Sequence, residues 1–152
     1  MVFRFRMISN EVDGFFRDFE IRDIQNFYDF HKIIQEELDY DTSQLASFFI
    51  SNKDWEKGME LTLLDMSDPD GQYGNSAAME DVRLAEFVTK KKQHLLYVYD
   101  FFTERMFFLE LVEVREDDTD KKYPVCIERR GDPPPQIMIQ DGDIDMDELT
   151  DL

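Results

Sequence analysis

His31, His94 and Cys126 are the side chains of this 152-residue chain best suited to act as base, nucleophile or soft metal ligand near neutral pH. His31 falls on an apolar spacing with Phe27, Ile34 and Leu38. Paired with a carboxylate such as Asp100 it would make a general base with its orienting acid, and Tyr99 adds a phenol beside that acid. His31, Tyr99 and Asp100 are therefore the candidate catalytic set. The plainer account of His31 is an imidazole at the edge of a core, bonded to a carbonyl or carboxylate. Cys126 stands between Val125 and Ile127 with no nucleophile motif around it, which suits a small buried thiol. Two distant histidines and one cysteine fall short of the four ligands of a structural zinc site. Neither a GxSxG elbow nor a phosphate-binding glycine loop occurs. In "DGDIDMDEL", Asp141, Asp143 and Asp145 match the first three ligands of a calcium loop. Met146 then replaces the turn glycine and Leu152 the bidentate glutamate. No metal and no cofactor is expected.

The overall charge points away from phosphate. Acidic residues outnumber basic ones 35 to 17, for a net charge of −18, whereas binding a nucleic-acid backbone relies on clustered lysine and arginine. The longest basic run, Lys90 to Lys92, suits a solvated loop or helix end. Direct nucleic-acid binding is not expected; a protein partner, or solubility alone, fits the charge better. Arg4 and Arg6 interrupt the apolar residues at the start, and no apolar run approaches the ~18 residues of a membrane span. The expectation is a cytoplasmic chain with no membrane segment. Its oligomeric state is open.

These residues need a frame. "VFRFRMI" alternates, with Phe3, Phe5 and Met7 on one face and Arg4 and Arg6 on the other, which predicts a half-buried strand. A turn ending at Gly14 leads into a returning strand over 15–21. A helix over 24–38, capped by Asp23, carries Ile24, Phe27, His31, Ile34 and Leu38 in one stripe, widened by Phe30. Strands follow at 45–51 and 59–65, then a loop over 66–79 rich in turn formers, then a short helix over 80–89. Two strands meeting near Thr103 and Glu104 come next. The three prolines of "GDPPPQ" (131–136) lack the N–H of an inner strand or helix. The predicted fold class is α+β: a mainly antiparallel sheet of about five to six strands against one main helix (24–38) and a second short helix (80–89). Residues 1–136 are expected to form a single domain, and 137–152 an acidic, disordered tail.

In "YVYDFFTERMFFLELVEV" (97–114), alternate residues face opposite ways, and both faces are apolar in the middle. That pattern suits a central hairpin covered by helix 24–38 on one side and by the long loop or a second subunit on the other. Most of these rings are expected in the core. Phe102 and Phe107 are the candidate partner-binding rings, joined by Asp143, Asp145 and Asp147 of the tail.

The order of these pieces resembles the plasmid-Ri open-reading-frame-three-like family, also known as insertion-element passenger (TnpR) proteins. The resemblance is carried by the early strand, Phe30-His31 where the family usually has Leu-His, "YVYDF" at 97–101, "YPVC" at 123–126 and "PPPQ". It implies a compact α+β fold with a mainly antiparallel sheet and supplies no reaction. After "YDF" the family commonly places glycine, aspartate, tryptophan and histidine; here those positions hold Phe102, Thr103, Arg105 and Phe107. A polar site built there in other members is absent from this sequence.

Three functions remain in view. The leading expectation is a non-enzymatic protein-interaction module using an aromatic surface and an acidic tail. The alternatives are a small enzyme acting through His31, Tyr99 and Asp100, and an acidic nucleic-acid mimic, which would need carboxylates in rows across a rigid surface.

Overall fold

The structure, a computed structural model, describes residues 1–64 and 76–138. The alternating N-terminal segment forms β1 (Val2–Ser9), which turns through Gly14 into β2 (Phe16–Arg22). Helix α1 (Phe27–Leu38) follows, then β3 (Ser47–Ser51) and β4 (Lys57–Thr62). β5 (Ser76–Ala78), a 3-10 turn at Met79–Asp81 and the four-residue α2 (Leu84–Phe87) lead to the hairpin of β6 (His94–Asp100) and β7 (Arg105–Arg115). β8 (Val125–Arg130) completes one eight-stranded sheet, ordered β5-β4-β3-β6-β7-β1-β2-β8. Its neighbours pair antiparallel except β4 with β5.

The α+β class and the mainly antiparallel sheet match the sequence expectation, but the strand count does not. β5 and β8 raise five or six strands to eight. β5 lies inside the stretch expected to be a loop over 66–79. It is only three residues of small side chains, and its partner β4 lies earlier in the chain. β8 pairs on one side only, with β2, and ends in Glu128, Arg129 and Arg130, the charged composition that protects a sheet edge from further pairing.

The main helix starts later than the expected residue 24. Asn26, not Asp23, is its N-cap: Asn26 Oδ1 accepts from Asp29 N at 2.8 Å, and Asn26 N donates to Asp29 Oδ2 at 3.2 Å. This reciprocal pair satisfies two backbone donors that a bare helix start would leave unpaired. Asp23 instead takes the N-terminal ammonium at 3.1 Å, and Ile24 stays 64% exposed outside the helix. The expected helix over 80–89 is divided. Val82 is extended, its carbonyl accepts from Phe27 N at 3.1 Å, and Arg83 forms a bridge with Asn26. Backbone committed to the start of α1 is thereby withheld from a continuous helix.

Register explains why one face of the sheet is a core. Leu61, Phe48, Tyr97 and Phe107 stand side by side across four strands, and Leu109, Met7 and Arg17 continue the row across three strands one pair further on. α1 lays Phe27, Phe30, His31, Ile34, Gln35 and Leu38 onto this face. Phe30 meets Phe5 and Phe48 at 5.3 Å and Phe19 at 5.8 Å between ring centroids. Each such ring, fully buried, contributes on the order of 2–3 kcal/mol. The opposite face is partly ionic. Asp18, wholly buried, lies between Arg4 and Arg6, with Nε–O distances of 3.1 and 2.8 Å. Further across, Trp55 stacks on His94 at 3.8 Å between centroids and meets Phe108 edge-on.

Candidate functional site

The β6–β7 hairpin ends in a turn organised by Asp100. Its Oδ1 accepts from Phe102 N at 3.0 Å and Thr103 N at 3.3 Å, and its Oδ2 from the Thr103 hydroxyl at 2.7 Å. Burial pushes the Asp100 carboxyl up, but these bonds and Arg105 outweigh it and hold the group below the usual carboxylate range. The two side chains that follow stand outward: Phe101 is 43% exposed and Phe102 wholly exposed.

Behind the turn, Arg105 is buried among acceptors from three parts of the chain. Its Nε donates to both Glu11 carboxylate oxygens at 3.1 Å, its Nη1 to the Gln136 carbonyl at 3.1 Å and its Nη2 to the Pro135 carbonyl. Glu11 also accepts from the Tyr99 hydroxyl at 2.9 Å. Tyr40, packed between Tyr99 and Phe107, donates to the Pro134 carbonyl at 2.5 Å. Gln136 closes the arrangement: its Oε1 accepts from Asp41 N at 2.6 Å and its Nε2 donates to Asp41 O at 3.0 Å. The proline segment is thus strapped across the end of the sheet.

Between the turn and this strap lies an open groove of about 700 Å³. Leu45, Phe101, Phe102, Ile137 and Met138 supply apolar walls, all of them exposed, while Gln44 and Gln136 supply neutral amides. Tyr99, Asp100 and Thr103 reach it too, but their polar atoms are engaged as just described. An apolar surface whose charges are already paired can exchange water for another apolar surface at little electrostatic cost.

The candidate catalytic set does not assemble here. His31 Nδ1 lies 2.7 Å from the Tyr97 hydroxyl, which also accepts from Gln35 Nε2 at 2.7 Å. Burial pushes the imidazole down to about 4, so it is neutral at pH 7. Asp100 serves its own turn and Tyr99 serves Glu11, so the expected pairing of His31 with Asp100 is replaced by a His31–Tyr97–Gln35 cluster beneath α1. Alternation already places Tyr97 and Asp100 on opposite sides of their strand. Within that cluster Gln35 Oε1 is the one buried side-chain oxygen or nitrogen without a hydrogen-bond partner among the described residues.

Cys126 is buried, its thiol 3.4 Å from Glu128 O, and burial together with Glu37 pushes it up to about 11. That suppresses the thiolate a nucleophile requires. His94 holds Asn52 O at 3.1 Å beneath the Trp55 ring. Among the described residues no group of three or more His, Cys, Asp or Glu side chains is arranged to hold a metal.

The two candidate partner-binding rings separate. Phe102 stands free in solvent. Phe107 is fully buried, stacked on Tyr99 at 4.7 Å and on Phe15 at 5.7 Å, so it belongs to the core and not to a surface. Its register with Tyr97 puts it on the face that α1 covers. Asp143, Asp145 and Asp147, and the calcium-like run that contains them, lie outside the described residues, as does most of the 66–79 loop. Sequence reasoning missed Glu11, Tyr40, Leu45 and Arg105, since nothing in local spacing announces partners from separate loops and strands.

Arginine pairs some of the carboxylates in the described part: Asp18 with Arg4 and Arg6, Glu37 with Arg17 and Arg129, Glu20 with Arg115, Asp117 with Arg22. Residues 65–75 and 139–152 hold nine acidic and no basic residues, half of the −18 excess. No helix among the described residues is long and apolar enough to cross a membrane.

The described residues form an eight-stranded, mainly antiparallel sheet with one covering main helix and a proline strap. The model of the plasmid pRiA4b ORF-3-like protein family matches residues 5–139, and the chain belongs to that family. The fold is similar to the crystal structure of a protein of unknown function, MM3350, from Methanosarcina mazei Go1. The TM-score is 0.65 at 18% identity, over 84% of this chain and 68% of that one. No curated protein matches the sequence.

Proposed function

We propose that this chain is a non-enzymatic protein-interaction module whose contact surface is the groove between the 101–104 turn and the 133–138 segment. The observation that carries this reading is Phe102, wholly exposed at the rim of an apolar groove while the polar groups around it are already bonded to one another. A large ring held out in water by a structured turn contributes nothing to folding, and aromatic anchors of this kind dominate protein interfaces. The neutral, partnered state of His31 and the suppressed thiol of Cys126 give no comparable support to catalysis. In this reading 1–136 is the folded unit, and the acidic residues beyond it tune solubility or long-range attraction to the partner.

The test is affinity capture from native lysate with three proteins: the full chain, its Phe102→Asp variant and a version ending at Met138. A protein kept by the shortened chain and lost by Phe102→Asp places the contact on the groove. One lost only by the shortened chain moves it to the acidic segment. Identical captures by all three remove the reading.

A further inference from the structure

We infer that the site formed by Tyr40, Tyr99 and Arg105 is a receptor for an extended, proline-containing peptide, filled in this chain by its own residues 133–136. The inference rests on the interaction reading above and names the class of partner.

Proline fixes its own φ near −65° and drives the residue before it into extended backbone, so consecutive prolines form a polyproline II segment with free carbonyls. Three successive carbonyls of this segment are taken by side-chain donors: Pro134 O by the Tyr40 hydroxyl, Pro135 O and Gln136 O by the two Arg105 Nη atoms. Pro134 is buried, Pro133 half-buried and Pro135 exposed. A buried proline, neighbouring tyrosines and side-chain donors to backbone carbonyls are features by which polyproline II ligands are held. The donors address backbone, so they favour the conformation and not a particular set of side chains.

The strap can leave without dismantling the fold. It belongs to no strand, so its departure breaks no ladder bond. Arg105 keeps Glu11 at 3.1 Å and Asp100 at 3.6 Å, so no buried charge is orphaned by opening. Gln136, Ile137 and Met138 form one wall of the apolar groove, so the vacated site and the groove become a single cleft. A partner segment with a proline at the Pro134 place and apolar residues three and four positions later would fill both. The strap competes for the site at the high effective concentration of a tethered ligand, which makes it a built-in inhibitor.

The probe is a fluorescent peptide of residues 131–140, GDPPPQIMIQ, titrated by anisotropy into the full chain and into a full-chain Pro134→Ser/Gln136→Ala variant. That variant removes the buried ring and the side-chain pair on Asp41. The peptide is expected to bind the variant at least tenfold more tightly than the unaltered chain. Adding Tyr40→Phe should reverse at least half of that gain, and a peptide with its prolines replaced by alanine should not bind. If the double variant does not fold, as judged by its thermal transition, Gln136→Ala alone serves, with a smaller gain of the same sign. Equal affinity for folded variant and unaltered chain, or binding indifferent to Tyr40→Phe and to the peptide's prolines, overturns the inference. A lysate partner still lost through Phe102→Asp would then leave the interaction reading standing with a different class of ligand; with no such partner, both fail.

Discussion

Arg105 lies over Tyr99, its guanidinium 5.0 Å from the ring centroid, and both side chains converge on the same Glu11 carboxylate. This pair joins the hairpin to the β1–β2 turn and, through the other Arg105 nitrogens, to the proline strap. Replacing Arg105 by methionine keeps the stem and removes every donor, leaving Glu11 and two carbonyls short of partners. The expected cost is about 2–4 kcal/mol, read from the urea midpoint. Arg105→Lys keeps the charge but not the fork, and should fall between the methionine variant and the unaltered chain.

Phe102 and Phe107 sit five positions apart in one hairpin and should respond oppositely. Phe107→Ala empties a fully buried, stacked position and is expected to cost about 3–5 kcal/mol. Phe102→Ala should change stability by no more than about 0.5 kcal/mol, as for surface positions in general. Denaturation of the two variants side by side checks both. A large loss from Phe102→Ala would mean the ring is packed and unavailable to a partner.

The His31 cluster predicts a pH dependence with a definite sign. The imidazole stands near 4 in the folded chain against an ordinary value of 6.5. Between those values the unfolded chain binds a proton that the folded chain refuses, so stability falls as pH drops from 6.5 towards 4. The difference corresponds to about 3 kcal/mol at full extent, with no further contribution below pH 4. His31→Gln, which does not titrate, should flatten this part of the stability profile measured by thermal denaturation at fixed ionic strength.

Tyr97→Phe should be costly at every pH. It deletes the oxygen shared by His31 Nδ1 and Gln35 Nε2 and leaves two buried polar atoms unpaired, beside a Gln35 Oε1 that already lacks a partner. The expected loss is about 1–3 kcal/mol, measured by chemical denaturation at pH 7.

Where one local rule governed an element, the element was legible. The three- and four-residue spacing of Phe27, His31, Ile34 and Leu38 marked α1, and alternation marked β1, β6 and β7. The late start of α1 was also written locally, in the Asn26/Asp29 capping pair, though Asp23 drew attention first. Elements settled by distant partners were not legible. The division of 80–89 comes from bonds to residues 25–27, and β5 exists only because β4 offers an edge. Within the site, Phe102 and Phe107 look alike in sequence; Asp100 bonding to Thr103 and the register with Tyr97 separate them. "PPPQ" was visible as a segment that could not be helix or inner strand. That Tyr40, 94 residues away, would hold it was not.

The most direct measurement of the central claim is hydroxyl-radical footprinting of the full chain, alone and in the complex recovered by capture. The account predicts that Phe102 and Leu45 react readily in the free chain and are protected together in the complex. Ile127, on the edge strand, should react equally in both. A complex in which Phe102 and Leu45 stay as reactive as in the free chain would contradict the groove as the contact surface.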